Sequence, residues 1–416
     1  MTYREAVDWL YSQQLHGIRL GLETMQRLAS ALDLPLDSAV PGAPLYLHVA
    51  GTNGKGSVCA LLDSMLRAGG VRTGLYTSPH LVTFRERIRL DGAMISEEAV
   101  AEGLTTIRDL IEAWEPRPTF FEITTALALR WFADQGAEAV VLETGLGGRL
   151  DATNVTRPAV SVLTPIGYDH QAYLGNTLGE IAGEKAGILK PGIPVVSAPQ
   201  PIEAATVIAT IAAKRESPLD VPQDPWTQSP IGLVGAHQGW NAAVACLALE
   251  VAAAQYPRLR ISAEAVTRGL AEVQWPGRFQ EIAGRFVLDG AHNPAAARQL
   301  AATWREQFGD APSTLILGVM RDKDHRGVAE ALVPLATRVL TVQVNNARTC
   351  LAEELAAEIR TLDPTKTCVA CANIQEALQQ LDPAEGRVLI AGSLFLVGEA
   401  LVALGVMPGK GESSNQ

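Results

Sequence analysis

The stretch Ala50-Gly51-Thr52-Asn53-Gly54-Lys55-Gly56-Ser57 packs three glycines, a lysine and two hydroxyl side chains into eight residues. Glycines let successive backbone N–H groups turn inward with no Cβ in the way, and such a loop ahead of a helix cradles phosphate oxygens. Lys55 supplies positive charge, and Ser57 a hydroxyl suited to a hard divalent cation. The spacing is not a standard Walker A: the longer gap before Gly-Lys is missing, and Gly56 separates Lys55 from the hydroxyl. A plain glycine-rich strand-to-helix turn is the alternative, and the order strand, loop, lysine, hydroxyl, helix favours nucleotide phosphate. Ser78, Glu143 and His170 are further donors of the types that hold magnesium near phosphate. Lys185, among small apolar neighbours, could snorkel to solvent or, desolvated with a lowered pKa, act chemically or be modified. Singly, Ser78 also reads as a turn before proline, Glu143 as a surface cap and His170 as a core histidine.

The elements that must position these residues give them joint meaning. Apolar residues 45–49 predict a buried strand before the loop, and 58–66 a helix after it. A strand over 71–76 runs into Thr77-Ser78-Pro79-His80-Leu81, and one over 139–142 into Glu143 and a glycine-rich turn ending at Asp151. A strand over 159–163 ends at Thr164, with Asp169 and His170 just beyond. In open parallel sheets ligands bind beyond the carboxyl ends of the strands, so four polar strand ends point to one shared site. Thr177 and Glu180 have capping-box spacing, which places Lys185 in a short helix. Asn241 falls in the first turn of an apolar helix opening at 236, as a cap or a ligand contact. Helices over 3–15 and 24–32 precede the first strand, and 216–235, rich in Pro, Ser and Gln, reads as an irregular excursion.

Breakers at Trp275-Pro276-Gly277-Arg278 mark a domain boundary. Beyond it, strands over 286–288, 315–317, 339–342, 367–369 and 388–390 alternate with helices as a second, smaller parallel sheet. Its strand ends carry Asp289-Gly290-Ala291-His292-Asn293-Pro294, Asp322-Lys323-Asp324 and Gly392-Ser393. The expected fold is α/β: a mostly parallel-sheet, P-loop-type ATPase domain over 1–276, a linker over 277–283 and a Rossmann-like α/β domain over 284–408. The tail 409–416 has the composition of a disordered segment.

A chain of 416 residues exceeds what one core serves, which agrees with two domains. Its net charge of −11 excludes a basic nucleic-acid surface, so an anionic ligand must be met by local cations or metal ions. No signal peptide or membrane-spanning run is visible, and a cytoplasmic protein is expected. Five cysteines without framework spacing fit a reducing compartment; Cys368 and Cys371 have redox or zinc spacing but no second pair.

Taken in order, these motifs, with Phe121-Glu122, the run from Gly145 to Asn154 and Glu184-Lys185-Ala186-Gly187, resemble those of the folylpolyglutamate synthase and dihydrofolate synthase enzymes of the Mur ligase superfamily. The resemblance covers about 18–402. It implies ATP-dependent addition of L-glutamate to dihydropteroate, to the γ-carboxylate of reduced folates, or to both, through an acyl phosphate. It implies ATP and two Mg2+ ions as cofactors, small-molecule substrates only, no nucleic-acid or membrane partner, and a monomer. Residue by residue, Thr52, Asn53, Gly54, Lys55, Gly56 and Ser57 would hold phosphates, Asn241 adenine, and Arg278 and Asp289 the phosphate and ribose of ATP. Ser57, Ser78 and Glu143 would hold one magnesium; His170 would hold a second beside Lys185, which the family carbamylates. Lys55, Lys185, His170 and His292 would be catalytic, His292 near the incoming glutamate. Arg19, Leu20, Gly21, Leu22, Thr119, Phe120, Phe121, Glu122, Leu150, Asp151 and Ala152 would line the pterin side. A monofunctional synthase and a peptidoglycan-precursor ligase are sibling readings; the extra Gly56 and the absence of a preceding uridine-nucleotide domain oppose the latter. A non-catalytic ATP switch is the reading from another class, and in it Glu143, His170 and Lys185 would be superfluous.

Overall fold

The structure, a computed structural model, describes residues 1–16, 21–382 and 386–407. The pterin-side candidates Arg19 and Leu20 and the tail 409–416 lie outside the described residues. The first sheet contains β1 (Leu45–Ala50), β2 (Thr73–Tyr76), β3 (Ile88–Leu90), β4 (Ala93–Met94), β5 (Ala139–Glu143), β6 (Val160–Leu163), β7 (Val195–Ser197) and β8 (Leu219–Asp220), in the order β4-β3-β2-β5-β1-β6-β7-β8. Only the pairings of β3, with β2 and with β4, are antiparallel, an edge addition. Central β1 is buried at every position, as expected for a parallel strand covered on both faces. Its Leu45, Leu47 and Val49 join the core under the helices Lys55–Ala68, Ala236–Gln255 and Ala263–Glu272. Tyr46 points the other way, into the core under Tyr3–Ser12, Glu97–Ile111 and Phe120–Asp134. Period-two alternation therefore splits one strand between two cores and leaves its carboxyl end for the site.

The second sheet has β9 (Gln280–Ile282), β10 (Phe286–Asp289), β11 (Ser313–Leu317), β12 (Arg338–Val342), β13 (Thr367–Cys371) and β14 (Arg387–Ala391), in the order β13-β12-β11-β14-β10-β9. All are parallel except β9, which pairs antiparallel with β10. The stretch 277–283, expected as a linker, thus contains an edge strand of the second sheet. A tight turn makes it possible: Ala283 and Gly284 have φ of 51° and 65°, and Arg285 N–H donates to Ile282 O at 3.1 Å. Two left-handed residues in a row suit the right-handed twist of a hairpin.

Three further expectations are corrected. The opening helix stops at Ser12, behind a Thr2/Glu5 capping box, and continues as a 3-10 turn over Gln13–His16. The excursion 216–235 includes the short edge strand β8. Asn241 lies in the second turn of Ala236–Gln255, because that helix begins directly after Gly235; a capping role is ruled out. Among the described residues no helix is long and apolar enough to cross a membrane.

Candidate active site

The phosphate-type loop connects β1 to the helix Lys55–Ala68. Gly54, at φ 88°, takes the left-handed turn that starts the helix, and a Cβ there would lie 2.7 Å from Asn241 Oδ1. A Cβ on Gly56 would lie 2.9 Å from Trp275 Nε1. The extra glycine of the motif is therefore the point at which the indole at the domain boundary rests on the loop. Thr52 and Asn53 N–H donate to Pro165 O, at 3.0 and 3.2 Å, so those two donors are engaged. The first-turn N–H groups of the helix have no intrahelical partner, the arrangement with which helix N-termini bind anions.

Two lysines converge on one carbonyl of the loop. Lys55 Nζ donates to Gly51 O at 3.2 Å and to Thr52 O at 3.3 Å, and Lys185 Nζ donates to Gly51 O at 2.8 Å. Lys185 ends the helix Leu178–Lys185, whose Thr177/Glu180 capping box is formed as expected. It is buried at 5% exposure, so it does not snorkel. Burial first, then the charge of Lys55, brings its pKa down from 10.5 to about 7. An amine tuned so low is substantially neutral and nucleophilic near neutral pH.

Glu143, the last residue of β5, is likewise buried, not a surface cap, and accepts Ser78 N–H at 3.0 Å. Burial raises its pKa against the opposing pull of Lys55 and that N–H. Glu143, Ser78, Gly56, Trp275 and Arg278 line one cleft between the two domains. Ser57 is buried in the first turn of the phosphate-loop helix. A desolvated carboxylate, with Ser57 and Ser78 beyond the two adjoining strand ends, is a set of hard-oxygen donors of the kind that fits Mg2+. At His170 the surroundings differ. Its Nε2 stands 3.4 Å from Lys323 Nζ, so a cation already faces that nitrogen. Among the described residues no three His, Cys, Asp or Glu side chains form a metal-binding group.

Asp169, which sequence reasoning left without a role, is a hub between the domains. Its Oδ1 accepts from Lys323 Nζ at 2.5 Å, and its Oδ2 is 3.5 Å from His292 Nε2. It also accepts the backbone N–H of His170, which sits at φ 49°. Burial opposes ionisation of Asp169, but the hydrogen bond from His292 and the charges of His292, His170 and Lys323 outweigh it and hold the pKa below the ordinary value. His292 Nδ1 donates to Gly290 O at 2.8 Å, which points Nε2 at the carboxylate. A second bridge is an amide pair: Asn293 Nδ2 donates to Asn53 Oδ1 at 3.0 Å, with the reverse contact at 3.5 Å. The polar spacing of 289–294 and of 322–324 was the available signal for Asn293 and Lys323; nothing in it says that they meet the first domain.

Several candidates are occupied in building the site. Asp289 accepts Phe279 N–H and Ala291 N–H, both at 2.8 Å, which fixes the backbone beside Arg278. Arg278 Nη1 donates to Gly277 O. Asn241 Nδ2 donates to Gln238 Oε1 at 2.8 Å. On the pterin side, Thr119 and Glu122 cap the helix Phe120–Asp134 reciprocally, and Phe120 stacks on Tyr11 with centroids 5.6 Å apart. Phe121 is partly exposed, packing beside Gly145 and Tyr76. Asp151 accepts the N–H groups of Gly145, Leu146 and Thr153, so it folds its own glycine-rich loop; Leu150 is half-buried and Ala152 buried beside it. Gly21 and Leu22 are half-buried at the start of Glu23–Ala31. Cys368 and Cys371 are both free.

The Mur ligase middle domain matches residues 49–198, and the Mur ligase glutamate ligase domain matches 277–394. The chain is 34% identical over 433 residues to the dihydrofolate synthase/folylpolyglutamate synthase of Bacillus subtilis (strain 168), covering 96% of this chain and 98% of that one. Its fold is similar to that of the Mycobacterium tuberculosis folylpolyglutamate synthase complexed with ADP and AMPPCP, with TM-score 0.86 and 30% identity over 97% of this chain and 98% of the other. It is also similar to E. coli FolC in complex with DHPP and ADP, with TM-score 0.85 and 30% identity over 96% and 98% of the two chains. A buried lysine and a buried glutamate at a phosphate loop, faced by a second α/β domain, agree with those likenesses: the chain belongs to the folylpolyglutamate and dihydrofolate synthases of the Mur ligase family.

Proposed function

We propose that this chain is an ATP-dependent ligase that joins the amino group of L-glutamate to the carboxylate of dihydropteroate and to the γ-carboxylate of reduced folates. The observation that carries the reading is the meeting of Lys185, Lys55 and Glu143 around one phosphate loop, with His292 and Arg278 opposite on the second domain. The substrate carboxylate attacks the γ-phosphorus, and the bond to the ADP oxygen breaks. The glutamate amine then adds to the acyl carbon, loses a proton, and expels phosphate as the amide forms. Both steps crowd anions in an acidic protein, so fixed cations and aligned N–H groups must meet the developing charge.

In this reading the first-turn N–H groups and Lys55 bind the phosphates, Asn241 contacts adenine, and Arg278 and Asp289 position the phosphate and ribose. Ser57, Ser78 and Glu143 would hold Mg2+, which when bound neutralises phosphate charge and orients the γ-phosphoryl group. His170 and Lys185 serve a second position, with Lys185 as the carbamate that its low pKa makes accessible. His292 faces the incoming glutamate, and Phe121 with residues 150–152 borders the pterin. The enzyme acts in the cytoplasm as a monomer on small molecules. Purified protein given ATP, dihydropteroate and glutamate should release ADP only when all three are present, and tetrahydrofolate should replace dihydropteroate. ADP release indifferent to glutamate would overturn the ligase reading, and turnover on tetrahydrofolate alone would reduce it to the polyglutamating activity.

A further inference from the structure

At the second cation position the residues do not fit a divalent ion as they stand, because an ammonium is there first. Lys323 lies in the loop before His325–Leu332 of the second domain and reaches across to the first. Its Nζ is 2.5 Å from Asp169 Oδ1 and 3.4 Å from His170 Nε2. An ammonium has three donors and no acceptor, so the Nε2 lone pair of His170, the one a metal would use, is turned toward Lys323. The pair is nearly closed to water: the Lys323 and Asp169 side chains are 10% and 9% exposed. Two cations that share one imidazole nitrogen and one carboxylate in a poorly screened site repel strongly. A divalent ion at His170 Nε2 is therefore disfavoured while Lys323 stays.

We propose that the Lys323 ammonium holds the seat of the second cation, and that a divalent ion enters that position only when Lys323 leaves Asp169 and His170. The departing ammonium frees a carboxylate and an imidazole in one movement, and because Lys323 belongs to the other domain, the exchange depends on how the domains sit. In this arrangement His292 Nε2, 3.5 Å from Asp169 Oδ2, is a second tie from the same domain to that carboxylate. This inference rests on the ligase reading for the identity of the second ion.

The test is Mn2+ binding, followed by the loss of the free-ion paramagnetic signal, in the presence of ADP. Wild-type protein, Lys323→Met, Lys323→Gln and Lys323→Arg are compared, with folding checked by circular dichroism. Wild type should bind one Mn2+ tightly and a second weakly. Lys323→Met and Lys323→Gln should tighten the second ion by about tenfold or more, since a like charge has been removed, while Lys323→Arg should leave it weak. Second-ion affinity that is unchanged or lower in both neutral variants, with the first ion intact, would overturn the proposal. Glu143→Gln separates the two readings: it should abolish the tight ion. If it does not, the assignment of the ligase metal site fails, while the effect of Lys323 on the weaker ion is still read directly.

Discussion

Replacing Lys185 by methionine keeps the length of the side chain and removes the amine, and the structure fixes how the effect must vary with pH. The Lys185 pKa falls from 10.5 to about 7 on folding, chiefly through burial. Between those values the unfolded chain carries a proton at this position that the folded chain lacks, so stability rises with pH through the window. Below pH 7 both states are protonated and the cost of burying the ammonium is present in full; above the unfolded pKa it vanishes. The linked slope is half of 1.36 kcal/mol per unit at pH 7 and approaches the full value above it, so between pH 7 and pH 9 wild type should gain about 2 kcal/mol relative to Lys185→Met. The lost hydrogen bond to Gly51 O does not orphan that carbonyl, because Lys55 also donates to it at 3.2 Å. Urea midpoints of both proteins at pH 6, 7, 8 and 9, in carbonate-free buffer so that no carbamate forms, provide the measurement. The Met variant should be the more stable at pH 6, with its advantage shrinking as pH rises. A difference between the two proteins that stays flat over this range would refute the claim that Lys185 is buried as a near-neutral amine.

Asp169→Asn leaves the Lys323 ammonium without its carboxylate in a nearly closed site, and should cost about 3 kcal/mol, read as a lower urea midpoint at neutral pH. Gly56→Ala puts a Cβ 2.9 Å from Trp275 Nε1; overpacking of about 1–3 kcal/mol is expected, and calorimetry should show ADP binding weakened by about tenfold. Thr119→Ala removes one half of a capping box and should lower stability by about 1 kcal/mol, with Thr119→Ser close to wild type; a large change in the KM for the pterin substrate with no loss of stability would show a direct ligand contact instead. Glu143→Gln should abolish glutamate-dependent ADP release while the fold survives, since the neutral amide can still accept Ser78 N–H.

What was legible in the chain follows from how each element is stabilised. Strands β1, β2, β5 and β6 lie inside the sheet and are buried at every position, so they appear as mostly apolar runs, broken by His48, Thr73 and Ser161, and their polar successors mark the site end. β9 escaped because it is a half-polar edge, Gln280-Glu281-Ile282, and because its turn places alanine, not the usual asparagine, at the first positive φ. Asn241 was displaced by one turn because Gly235 offers no side-chain cap to fix where the helix begins. The burial of Lys185 could be posed only as one of two outcomes, since a lysine between small residues snorkels or sinks according to what covers it. Here the loop after β1 receives it: the buried Nζ donates to Gly51 O at 2.8 Å.

The half of the site that crosses between domains was not legible, and the reason is geometric. Asn53 and Asn293 are 240 positions apart, and Asp169 and Lys323 are 154 apart. Period and spacing say which loops lie at the carboxyl edge of each sheet but not which loop of one sheet faces which loop of the other. Yet the cations of the site come from both domains: Lys55 from the first, Arg278 and Lys323 from beyond the boundary at Trp275. The indole that rests on Gly56, the amide pair at Asn53 and the ion pair at Asp169 all fasten the phosphate side of the first domain to the second. With the nucleotide in its proposed place at the loop, its binding and the placement of the domains act on the same few atoms, and a change at any of the three contacts should be felt in both.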